Sequence, residues 1–164
     1  MSLVAGFDEL AQRVADACRA QFGERLVSVA VFGSVGRRTP RPDSDVDLLV
    51  VLDDLPHGRF ARQEVFEPVE QAVAPFVASL RQRGIEAELS PILKTRAEVE
   101  AGSPLFLDMV EDARILYDPG GFLTARLERL RKRLGELGAR RIRYGGAWYW
   151  DLKPDYRPGE VLEL

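Results

Sequence analysis

GSVGRRTPRPDSDVDLLVVL, residues 33–52, decides how the chain is read. It opens on a glycine-serine pair placed directly after Leu26 to Phe32, a short β-branched and aromatic run that reads as a core strand. Ten residues separate Ser34 from Asp45. Within that interval Pro40 and Pro42, with Arg37, Arg38 and Arg41, allow at most one helical turn before an irregular loop. Asp45 to Leu52 reads as a second strand, headed by Asp45 and Asp47 and running into Leu48, Leu49, Val50 and Val51. Strand side chains alternate, so the two carboxylates share a face with Cα atoms about 6.5 Å apart.

Outward from this stretch, Phe7, Leu10, Ala11, Val14, Ala15, Cys18 and Phe22 recur at helical steps and predict an amphipathic helix that stops near Gly23. Arg59 to Arg83 has helical periodicity, but Pro68 and Pro75 predict two pieces or one bent one. IEAELSPIL, residues 85–93, alternates as a third strand, with Glu86, Glu88 and Ser90 on one face. Thr95 with Glu98 is a capping box, and Ser103 with Pro104 starts another short helix that runs to Asp112. Arg114 to Tyr117 is a fourth strand. Leu123, Leu127, Leu130, Leu134 and Leu137 then form a narrow apolar seam, suited to docking on the sheet or to a homo-oligomer contact. The tail from Arg143 onward is aromatic-rich and broken by prolines.

The 164 residues and net charge of −3 fit one ordinary domain without a global pull toward nucleic acid. The arginines between Arg126 and Arg143 make the last third locally basic, either a solvated helix face or a contact patch. Cys18, the only cysteine, excludes an internal disulfide and a multi-thiolate metal site. No run approaches the roughly 20 apolar residues of a membrane span, and the N-terminus lacks an apolar signal core, so the cytoplasm is the expected compartment. His57 lies in a proline-flanked loop and reads as solvated.

A strand ending in Gly33 and Ser34 offers a polyphosphate close backbone approach, free amides and a hydroxyl. Asp45 and Asp47 offer hard oxygen ligands to divalent cations. A strand that begins with solvated acids to protect an edge accounts for the aspartates, but not for the glycine-serine turn. Activating a hydroxyl nucleophile needs a third acid, for which Glu88 is preferred over Glu86 because it sits deeper in its strand. Asp45, Asp47 and Glu88 are then expected to converge opposite Ser34 and to hold two Mg²⁺ ions while pyrophosphate leaves.

GSVGRRTPRPDSDVDL resembles the signature of the DNA polymerase β-like nucleotidyltransferases, particularly the minimal nucleotidyltransferases. The resemblance covers residues 26–93 and continues loosely to about Phe122, through ILYDPGGF. It implies an α/β (α+β) nucleotidyltransferase fold, a mixed four- to five-stranded sheet backed by helices. Length and residue pattern are read as one domain over residues 1–164, with a helical, aromatic-rich extension from about 120. Gly33, Ser34 and Arg37 take the nucleotide-binding role; Asp45, Asp47 and Glu88 take the catalytic and metal-binding roles. Many relatives have arginine then glycine after the serine turn, where this chain has Arg37 then Arg38. The implied reaction moves a nucleoside monophosphate, AMP from ATP, to an acceptor hydroxyl. The implied acceptor is a HEPN-type protein partner of a toxin-antitoxin pair, with an aminoglycoside-like small molecule or a non-catalytic antitoxin as the alternatives.

Overall fold

In the computed structural model, which describes residues 1–164 throughout, the chain opens on α1 (Leu3–Phe22). Its apolar stripe, from Phe7 through Cys18 to Phe22, is buried as the periodicity predicts. Burial pushes the Cys18 thiol up to about 12, so it stays an inert core group. β1 (Leu26–Phe32) follows, buried at every position, and runs into the single turn α2 (Gly33–Gly36). β2 (Asp45–Leu52) returns antiparallel to β1.

α3 (Arg59–Arg81) is one unbroken helix through Pro68 and Pro75, which decides against the two-piece alternative. Both prolines lie on its exposed side. The carbonyls that lose an N–H partner there face water, which satisfies them, so the helix need not stop. β3 (Glu88–Lys94) starts later than the alternation suggested and leaves Glu86 outside the strand, where its amide donates to the Pro42 carbonyl.

α4 (Arg96–Ala101) carries the predicted capping box between Thr95 and Glu98. α5 (Leu105–Asp112) has its first amide donating to Ser103 Oγ. β4 (Arg114–Tyr117) precedes α6 (Phe122–Leu137). Asp118 caps α6 through the amides of Leu123 and Thr124 while accepting from buried Ser28 Oγ at 2.6 Å. Burial alone would raise the Asp118 pKa, but these hydrogen bonds outweigh it and hold the group below its ordinary range.

The sheet has four strands in the order β3-β2-β1-β4, with β2 and β3 parallel and the other pairs antiparallel. Val46, Leu48 and Val50 point into one core with α1 and α3. Leu49 and Val51 point into a second core that includes Phe106 of α5 and Leu123, Leu127, Leu130 and Leu134 of α6. The leucine seam is thus buried within the chain from Leu123 to Leu134, with Leu137 partly exposed at its end. By alternation Asp45 and Asp47 belong to this second face, at its open end.

The tail folds further than expected. β5 (Arg140–Tyr144) and β6 (Ala147–Asp151) form a separate hairpin closed by Gly145 and Gly146. Several arginines of the basic run are paired inside the protein, Arg129 with Glu100 and Arg141 with Asp112 among them. No helix is long and apolar enough to cross a membrane.

Candidate active site

Gly33 has φ +64, a left-handed conformation that L side chains adopt at a cost. A Cβ at this position would collide with the carboxylate of Asp47, so the turn and the second strand touch here through glycine backbone alone. β1–β2 pairing sets this contact, with Phe32 opposite Asp47. Ser34 Oγ donates to Ser44 Oγ at 3.3 Å, and Ser44 Oγ accepts from the Arg41 amide, so the loop leading into β2 is fastened to the glycine-serine turn.

Asp45 is exposed and Asp47 half-buried on the same face. Burial raises the Asp47 pKa and the neighbouring charge of Asp45 raises it further; the hydroxyl of Ser90 and the guanidinium of Arg37 act against that rise. Two carboxylates that repel one another at the mouth of a strand suit a divalent cation, which would remove the repulsion.

Parallel pairing places Glu88 at the register of Asp45 and Ser90 at the register of Asp47. Glu88 therefore lies on the expected strand, level with Asp45. However, its side chain is exposed and not gathered with the aspartates: nowhere do three or more His, Cys, Asp or Glu side chains meet closely enough to hold one ion. This corrects the expected three-carboxylate convergence. Glu88 is the first residue of an edge strand, where no neighbour packs it against the pair, and it also borders a crevice along α3 with Glu70 and Arg81. Glu86 is exposed and outside the strand.

Behind the turn lies a polar support that sequence reasoning missed. Arg37 Nη1 donates to Asp112 Oδ2 at 2.7 Å, and Arg141 donates to both oxygens of the same carboxylate at 2.8 and 3.0 Å. The Asp112 side chain is only 3% exposed, so its charge is matched by two guanidinium groups rather than by water. Arg114 donates to the carbonyls of Val35 and Gly36 and pairs with Asp8. Gly36 packs so closely on the Asp112 carbonyl that a side chain there would clash with backbone. Through Arg141 and a bond from Trp150 Nε1 to Asp108 at 3.1 Å, the C-terminal hairpin joins this support.

Arg38 is the one non-glycine residue with positive φ, at 61°. The backbone keeps the left-handed turn that glycine would favour, and an arginine bears it.

The nucleotidyltransferase domain profile matches residues 11–117, from within α1 to the end of β4, and so contains Gly33, Ser34, Asp45, Asp47 and Glu88. The chain belongs to the nucleotidyltransferase domain family. A Methanocaldococcus jannaschii protein, provisionally named a protein adenylyltransferase, is 34% identical over 126 residues, covering 76% of this chain and 78% of its own. Among solved structures, the spectinomycin adenyltransferase of Enterococcus, determined with ATP and spectinomycin, has a TM-score of 0.50 at 15% identity. That match covers 79% of this chain and 66% of the other, and it speaks to the fold. An MNT antitoxin solved with the tri-AMPylated HEPN toxin of Shewanella oneidensis gives a TM-score of 0.43 at 14% identity, covering 80% and 92% of the two chains. This nucleotidyltransferase is therefore an enzyme that transfers nucleotidyl groups.

Proposed function

We propose that this nucleotidyltransferase moves AMP from ATP to a hydroxyl group on a protein. The observation that carries the reading is the contact between the Gly33 turn and the Asp47 carboxylate, beside Asp45. The protein acceptor is supported by the name of the 34% identical relative. The resemblance to minimal nucleotidyltransferases puts a helical HEPN-type partner first among the acceptors to test.

In this reading the Gly33–Gly36 backbone and Ser34 Oγ hold the terminal phosphates, and Arg37, fixed by Asp112, adds positive charge beside them. Asp45 and Asp47 would hold Mg²⁺, two ions at full occupancy, which supplies positive charge to the phosphate oxygens. The acceptor oxygen forms a bond to the α-phosphorus, and the bond from that phosphorus to the oxygen bridging to the β-phosphate breaks, releasing pyrophosphate. Glu88, on the acceptor side at the register of Asp45, takes the hydroxyl proton, a role for which its exposed side chain must turn in toward the aspartates.

The test is incubation with Mg²⁺, ATP labelled at the α-phosphate, and cell lysate. A labelled protein band that disappears with Asp47→Ala supports the reading. Label on a small molecule instead would reassign the acceptor, and neither transfer nor an ATP-dependent thermal shift would overturn the reading altogether.

A further inference from the structure

The strand order separates two approaches to the aspartate pair: the phosphate turn lies on the β1 side, and β3 lies on the other. In-line displacement requires the attacking oxygen to enter opposite the departing pyrophosphate, so the acceptor arrives from the β3 side. β3 is an edge strand, and beside it runs a groove of about 740 Å³ walled by Leu89–Lys94, the start of α3 and Glu98 of α4. It begins at Leu89 and Ser90, the latter level with Asp47, and extends away from the aspartates to Lys94.

Only three of the twelve residues lining the groove are hydrophobic, so its occupant is recognised by polar groups. Arg62 is already committed: it makes a two-pronged bond to Glu98 at 2.7 and 2.8 Å and a bond to the Leu93 carbonyl at 3.0 Å. Arg59 and Lys94 form no ion pair within the chain, and His57 stands exposed beside them. The Leu93 carbonyl points away from β2, so alternation turns Pro91 outward too, where it offers no N–H to an added strand. Side-chain charge, rather than strand addition, is left to hold the occupant. No Phe, Tyr or Trp side chain lines the groove, so it lacks the large aromatic platforms on which successive nucleobases stack.

We infer that this groove binds an acidic segment of the acceptor protein, with Arg59 and Lys94 as its specificity-determining residues. The inference rests on the protein-acceptor reading above. Ser90 and Lys94 are four strand residues apart, roughly 13 Å at 3.3 Å per residue. An extended segment with its hydroxyl at Asp47 therefore brings an acidic side chain to Lys94 when the two are about four residues apart.

The test uses short synthetic peptides, each with one tyrosine, serine or threonine and either glutamates or alanines about four residues away on both sides. The wild-type protein is expected to label the glutamate peptides about tenfold more efficiently, the scale of one well-placed charge pair. Arg59→Glu/Lys94→Glu should abolish or invert that preference and leave the ATP-dependent thermal shift unchanged. Equal labelling of the two peptide sets, or a preference retained in the double variant, overturns the groove assignment alone. Label on no peptide and no lysate protein, or on an added oligonucleotide instead, overturns the protein-acceptor reading and the groove with it.

Discussion

On the β1 side of the aspartate pair, the turn carrying Gly33 and Ser34 is held from behind by Arg114 and by Arg37 and Arg141, the last two joined on the buried carboxylate of Asp112. On the β3 side, Glu88 is exposed, Ser90 opens onto a groove, and Arg59 and Lys94 are unpaired. The first side is arranged before any ligand arrives; the second has its charges still to be satisfied. This division suits an enzyme whose donor is the same in every cycle and whose acceptor sets its specificity.

The largest break in the comparison should come from Asp47→Asn. Transfer is expected to fall by about 10³-fold or more, because in the proposed function Asp47 is one of the two carboxylates that would hold Mg²⁺. Burial and Asp45 both disfavour the charged form of Asp47, so the same substitution should leave the melting temperature equal or slightly higher. Next, Asp112→Asn removes the charge that two guanidinium groups share. Breaking a buried pair typically costs about 3–5 kcal/mol, and denaturant unfolding should register a loss on that scale together with weaker ATP binding. Gly33→Ala should cost about 1–2 kcal/mol from the left-handed backbone alone, and more from the collision with Asp47, with ATP binding lost.

Much of the rigid side was legible in the sequence. β1 and β2 fall where the β-branched runs and the glycine-serine turn put them, because local pattern and tertiary burial agree there. Its support was not legible. Arg37 and Asp112 lie 75 residues apart, and nothing local to Asp112 distinguishes it from any acid near a helix end. The prolines of α3 left two arrangements open for a different reason: the cost of an interior proline depends on whether the freed carbonyl can reach water, which only the fold decides. The C-terminal hairpin did carry a signal, Gly145-Gly146 between two short runs. Its strands are largely exposed and lack a core-facing alternation, so prolines and aromatics masked it. Glu88 was placed on the right strand and level, but convergence with Asp45 and Asp47 depends on side-chain packing that an edge strand does not supply.

Two smaller effects sharpen the contrast. Arg62 and its backbone partner Thr95 hold Glu98 at about 2, well below the ordinary carboxylate range. Because the folded value is depressed, the stabilisation is complete above about pH 4.5 and is lost as pH falls toward 2. The side chain is 36% exposed, so solvent screening limits the loss to about 1 kcal/mol, to be read as acid-induced unfolding that Glu98→Gln removes. Arg38→Gly relieves the left-handed strain but loosens the unfolded chain, so thermal denaturation should show a net gain of no more than about 1 kcal/mol, with transfer unchanged.

The central claim is that Asp47, set against the Gly33 turn, directs transfer of the α-phosphorus of a nucleotide. It is tested most directly by parallel incubations with ATP labelled at the α- or the γ-phosphate, comparing wild type with Asp47→Asn. The account predicts that only the α-label becomes attached to the acceptor, that the γ-label leaves as pyrophosphate, and that Asp47→Asn abolishes attachment while still folding. Attachment of the γ-label, or α-label transfer that survives in the folded Asp47→Asn protein, would contradict it.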